Sequence, residues 1–142
     1  MVKCLITSFL FFSQIVGAAE QGTSVMQDNK YQKLEVYFVS WELLTRVRLR
    51  VEDVKRMRHV YMAIIDDSVI ANISNAIHNH TFKENRTGAN HDARLVLEFT
   101  YKNGNSEIYY ASQNKLLSGD SKKIADLDKE LLQKLNVFRR GD

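Results

Sequence analysis

The chain has 142 residues, 44% of them hydrophobic and 26% charged, with 20 Lys+Arg against 17 Asp+Glu, four histidines, one cysteine and no proline. A net charge of +3 is too balanced for a chain built to hold a polyanion. One cysteine excludes an internal disulfide framework, the lack of proline excludes a PxxP ligand or stalk, and the length is enough for one unstapled core.

The first residues read MVKCLITSFLFFSQIVGAAEQG. Lys3 precedes a largely apolar run of 13 residues, Cys4 to Val16, followed by the small residues Gly17, Ala18 and Ala19. Charge, short apolar stretch and small residues in that order predict a secretory signal peptide cleaved after Ala19. The run falls short of the roughly 20 residues that a membrane-crossing helix needs. The expected organisation is therefore a signal peptide over 1–19, a flexible tail over 20–31 and a single domain over 32–142. The product would be secreted (periplasmic in a bacterium), with no transmembrane anchor after cleavage. Cys4 would leave with the signal, so no disulfide, thiolate nucleophile or cysteine ligand remains. The remainder holds 19 Lys+Arg against 17 Asp+Glu. Asn72, Asn79 and Asn85 each begin an Asn-X-Ser/Thr acceptor pattern, which Asn-rich loops also produce by chance.

Residues 33–41, KLEVYFVSW, are rich in β-branched and aromatic side chains and predict a central strand buried on both faces. Residues 45–59, TRVRLRVEDVKRMRH, carry six basic side chains against two acidic ones. Arg46 to Val51 alternates strictly, which in a strand sends Val47, Leu49 and Val51 to one face and Arg46, Arg48 and Arg50 to the other. From Glu52 the spacing turns helical, with Glu52 and Asp53 at the positive end of the helix dipole. In the alternative reading Leu49 is a hydrophobic staple for that helix and the regular strand ends earlier.

VYMAIID, 60–66, predicts a second fully buried strand, although pattern alone also admits a buried helical segment. Val69, Ile70, Ile73, Ala76 and Ile77 then form one helical stripe, with Asp66 or Asp67 placed to cap it. A polar loop is expected over 79–92. In ARLVLEFTYKNGNSEIYYAS, Leu95, Leu97, Phe99 and Tyr101 share one strand face, and Val96, Glu98 and Thr100 the other. Asn103-Gly104 suits the positive φ angles of a tight hairpin, and 108–111 returns as a strand. Ile124, Leu127, Leu131, Leu135 and Phe138 predict an amphipathic helix over 121–138. The fold class is α+β: one compact domain, mainly antiparallel sheet, with two or three helices.

Chemistry-bearing patterns are few. His78 and His80 with His91 a loop away are weak candidates for a metal site, because side chains two apart on a helix diverge. No nucleophile elbow, phosphate loop, dinucleotide fingerprint or calcium loop is present, and no cofactor is expected. Ser40 sits in an apolar strand, Ser112 lacks a glycine-rich turn, and Asp66-Asp67 reads as a helix cap. Glu98 is a buried acid if its face is covered.

The basic segment, Arg46, Arg48, Arg50, Lys55, Arg56 and Arg58, is either an ordinary solvated face or a contact surface for an acidic protein. Nucleic acid is not expected as a partner: export removes most of the opportunity, no RNA- or DNA-binding motif is present, and no aromatic is interleaved with the arginines. The functional expectation is a non-enzymatic exported binding protein, an inhibitor or immunity-type protein that masks a toxin or envelope hydrolase. Trp41 and Tyr110 would serve as exposed aromatic anchors beside the basic residues. The alternatives are a module binding an envelope polymer or glycan through Tyr101, Tyr109 and Tyr110, and a small metal-dependent enzyme.

Overall fold

A computed structural model of the protein describes residues 30–86 and 91–136. The expected signal peptide and almost all of the expected tail lie outside the described residues. The elements are β1 (Tyr31–Phe38), α1 (Val51–Met57), β2 (Val60–Ile64), α2 (Asp67–His78), β3 (Lys83–Glu84), β4 (Leu95–Tyr101), β5 (Ser106–Ala111), β6 (Lys115–Ser118), β7 (Lys123–Asp126) and α3 (Lys129–Asn136). The strands form one seven-stranded sheet in the order β2-β1-β4-β5-β6-β7-β3, antiparallel throughout. Sheet and helices make a single α+β domain.

Strand alternation divides the core in two. On the first face Leu34, Val36 and Phe38 of β1 meet Leu95, Leu97 and Phe99 of β4, with Tyr109, Ala111 and Leu116 beyond them. Helix α2 covers this face with Ile70, Ile73, Ala76 and Ile77, and α3 adds Leu131. On the second face Val96, Tyr110 and Leu117 pack under Val39, Leu49 and Ala93 and under Val54 of α1. The continuous apolar character of β4 follows from its position, covered on both sides. Removing such a side chain from water stabilises the fold by about 1.5–3 kcal/mol each.

The hairpin β4–β5 forms as the alternation predicts, with Val96 opposite Tyr110 and Leu97 opposite Tyr109. Only Gly104 of the Asn-Gly pair takes a positive φ, 85°. Its N–H donates to Tyr101 O at 2.9 Å, so a turn followed by one left-handed residue closes the hairpin. Asp66, not Asp67, caps α2, with its Oδ1 accepting from the N–H groups of Ser68 (2.9 Å) and Val69 (3.1 Å).

Four expectations need correction. Arg46–Val51 is not a strand: 45–50 is irregular, Val47 is 71% exposed and only Leu49 is buried. Among the described residues no strand offers that segment a ladder, and its backbone is bonded elsewhere, as described below. β2 is a strand, but at the sheet edge and half-buried rather than covered on both faces. The helix expected over 121–138 is interrupted: 123–126 is β7, paired with β6, and α3 begins at Lys129. Ile124 packs on the second face and Leu127 on the first, so their three-residue spacing reflects opposite sides of a sheet, not one side of a helix. Phe138 lies outside the described residues. The polar loop 79–92 contains the two-residue strand β3, and β6, absent from the expected elements, extends the sheet beyond the hairpin.

Candidate functional site

The segment between β1 and α1 is the longest stretch without regular structure whose residues are all described. Its shape is set by Arg94, immediately before β4 and only 7% exposed. The guanidinium donates from Nη1 to Leu43 O at 2.8 Å and Ser40 O at 3.3 Å, and from Nη2 to Thr45 Oγ1 at 3.3 Å. Its Nε donates to Asp92 Oδ2 at 2.8 Å, and its Nη2 lies 2.6 Å from the same oxygen. The other oxygen of Asp92 accepts from the Leu49 N–H at 2.7 Å, and Ala93 N–H donates to Leu49 O at 2.9 Å. Five donors in one rigid plane suit arginine, rather than lysine, to holding several loop carbonyls at once.

Helix α1 secures the other end. Arg50 occupies the N-cap position, where its side chain has no acceptor to offer. Instead Asp53 Oδ2 accepts from the Arg50 N–H at 3.1 Å. Leu49 and Val54 share the second core cluster, the spacing of a hydrophobic staple. The basic segment therefore follows the alternative in which Leu49 staples the helix.

Held this way, the loop presents Leu44, 98% exposed, and Val47, 71% exposed, among the exposed arginines 46, 48 and 50. Two clefts flank Arg48. One, about 350 Å³, is lined by Trp41, His91, Asp92 and Arg94 together with Arg48. The other, about 570 Å³, is lined by Arg48, Arg50, His91 and Tyr110. Trp41 is half-buried, edge-on to Phe38 at 5.9 Å. Tyr110 is not the exposed anchor expected: it is 4% exposed and its hydroxyl bonds Ser121 Oγ at 2.9 Å.

The basic residues of α1 turn towards the sheet or to their own helix. Lys55 Nζ donates to Glu98 Oε2 at 2.7 Å and lies 5.4 Å from the Tyr37 ring centre. Glu98 is thus a covered acid with its own cation. Arg58 stacks over Tyr37 at 5.9 Å and Tyr61 at 5.2 Å. Arg56 pairs with Asp53 at 2.8 Å on the helix surface. Beside them Tyr61 OH donates to Glu35 Oε1 at 2.6 Å, and Lys33 lies 3.0 Å from the same carboxylate. Tyr61 and then Lys33 hold Glu35 below its ordinary value despite its partial burial.

The histidines do not converge. His78 Nδ1 bonds Ser74 O at 2.7 Å, and its ring meets Tyr109 edge-on. His80 Nδ1 bonds Ala76 O at 2.7 Å, and its Nε2 faces Asp128 at 3.2 Å. His91 stands at the clefts beside Arg48. Among the described residues no three His, Cys, Asp or Glu side chains are grouped to hold a metal ion.

The three tyrosines also separate, Tyr101 and Tyr109 to the first face and Tyr110 to the second. A polar knot that the sequence reading missed lies on the first face. Glu107 accepts from Tyr31 at 2.7 Å and Tyr101 at 2.8 Å on one oxygen, and from Tyr109 at 2.6 Å on the other. Burial pushes the carboxyl up, but the three phenols outweigh it and hold Glu107 below its ordinary value. A cleft of about 590 Å³ borders the knot, lined by His78, Phe82, Glu107, Tyr109, Asp120 and Lys123 among others.

Among the described residues no helix is long and apolar enough to cross a membrane. No family model matches the sequence, and no curated protein or solved structure matches it either.

Proposed function

We propose that the protein is a small non-enzymatic binding protein that grips an acidic protein surface with the loop 41–50. Most concretely it is an exported inhibitor or immunity-type protein acting on a toxin or envelope hydrolase. One observation carries this reading: Leu44 and Val47 are exposed on a loop whose backbone is locked from beneath by the buried Arg94. Apolar side chains offered to water on a fixed backbone cost little further ordering when a partner covers them. The neighbouring Arg46, Arg48 and Arg50 supply orientation and attraction towards acidic groups. Loops positioned by a rigid scaffold are where binding surfaces concentrate.

The reading predicts capture of one protein from extracts of the source cells. Replacing both Leu44 and Val47 with Ser is expected to lower that affinity at least tenfold, as is Arg46→Glu with Arg48→Glu. The charge-reversed pair acts mainly on association rate and salt dependence, the apolar pair on dissociation. Correctly folded variants that bind the captured protein as tightly as the wild type would overturn the proposal.

A further inference from the structure

The two edges of the sheet are guarded very differently. β3 is two residues long, Lys83–Glu84, both charged and exposed, the usual protection of a free edge. β2 is five residues long and reads Val-Tyr-Met-Ala-Ile, with no charge within the strand. Among the described residues nothing pairs with its outer edge. The exposed large hydrophobics outside the loop 41–50 all lie within five residues of this strand in the sequence: Met57 at 42%, Tyr61 at 48%, Ile65 at 78% and Val69 at 38%. Tyr61 and Ile65 fall on the same side of the strand with the exposed Ala63 between them, so an apolar row runs along an unpaired edge.

We infer that the outer edge of β2 pairs antiparallel with β2 of a second copy of this chain, about a two-fold axis at Met62. Residues equidistant from Met62 then face each other. Val60 meets Ile64, Tyr61 meets Ala63, and one step beyond the strand His59 meets Ile65. The next step places Arg58 opposite Asp66, at both ends of the pairing. This is what selects a second copy as the occupant: the strand is apolar and self-complementary, and the nearest charges on its two flanks have opposite sign at equal distances from the centre. Arg58 is exposed, with its guanidinium over Tyr61 of β2 at 5.2 Å and Tyr37 of β1 at 5.9 Å, on the sheet face that borders this edge. Asp66 is exposed, and its helix-capping bonds are all accepted by Oδ1. Tyr61 of one copy also reaches the diagonal Ile65 of the other, the arrangement in which aromatic and β-branched side chains support each other across strands. A self-pairing of this kind is isologous and closes as a dimer. It leaves the loop 41–50 as a separate surface, so this inference stands or falls independently of the proposed partner.

The test uses the purified protein at micromolar concentration, with mass measured by light scattering or sedimentation. A dimer is expected. In a chain with Cys4 replaced by Ser, Met62→Cys is expected to form a disulfide dimer rapidly on mild oxidation. Residues opposed across an antiparallel pair have Cα atoms about 4.5–5.5 Å apart, within disulfide reach. Arg58→Glu alone and Asp66→Lys alone should each weaken the dimer about tenfold, because each puts two like-charge pairs in the interface. Mixing these two variants should restore association as a heterodimer, an outcome that only this register produces. Circular dichroism checks their folds, and Asp66→Asn, which keeps a capping oxygen, should weaken the dimer less. A monomer with no Met62→Cys disulfide overturns the inference, as it would if β2 instead accepted a strand from an unrelated protein. So does a dimer whose charge variants fail to complement each other.

Discussion

At the scale of single residues, two ionisable groups, the buried Arg94 and the half-buried Glu107, do opposite work. Arg94 faces outward in its effect: its guanidinium fixes a loop that forms neither strand nor helix. Arg94→Lys keeps the charge but cannot reach Leu43 O, Ser40 O and Asp92 together. It is expected to cost about 2–3 kcal/mol in denaturant unfolding and to weaken partner binding, although residue 94 would not touch the partner. Glu107 works inward, tying β1, β4 and β5 through three phenols. Its folded-state carboxyl is held below the ordinary glutamate value. The stabilisation is therefore complete above that ordinary value and is lost as pH falls through the depressed folded one. Thermal unfolding midpoints should drop on acidification through that window, and Glu107→Gln should flatten the drop while lowering the midpoint at neutral pH. Nothing local in the sequence joins Tyr101 and Tyr109 to Glu107, because Tyr31 completes the knot from 76 residues away.

At the scale of elements, local signals were readable wherever neighbours in sequence decide the outcome. The β4–β5 hairpin, the stripe of α2 and its aspartate cap all form because alternation, 3.6-residue spacing and capping are short-range physics. The basic segment failed as a strand for the converse reason. Arg-Val-Arg-Leu-Arg-Val has strand periodicity, but the groups that satisfy its backbone, Asp92, Ala93 and Arg94, come from the far side of β3. Likewise Lys55 and Arg58 looked free because Glu98, Tyr37 and Tyr61, which take up their charges, are distant in sequence or belong to another element. Arg48, Arg50, Trp41 and Tyr110 did come together around two clefts, although Tyr110 arrived as a buried wall. The turn between β6 and β7 shows how tight these joints are. A Cβ on Gly119 would stand 2.9 Å from Ile108 Cβ and 3.1 Å from Ile108 O on the adjacent strand. Gly119→Ala should therefore destabilise the protein by about 1–3 kcal/mol, measurable as a lower denaturant midpoint with unchanged slope.

At the scale of the whole molecule, six of the seven strands fall into two contiguous pieces, and β3 adds the far edge. One is β1–α1–β2, and the other is the meander from β4 to β7, joined along the β1–β4 seam. That seam buries Val36, Phe38, Leu95 and Leu97 and is the least local pairing between long strands. Between the two pieces lies α2, and its path has a consequence of its own. The chain leaves one edge strand, β2, crosses the first face as α2 until His78 lies against Tyr109 of β5, and goes on to the opposite edge strand, β3. The strands that would ordinarily fray first are therefore consecutive in sequence and share one strap. Neither margin can detach far without slackening the helix that shields Leu34, Leu97 and Phe99. Local openings at the two sides, some six strand spacings apart, become a single cooperative event, and their backbone amides should exchange with solvent in concert rather than one side at a time.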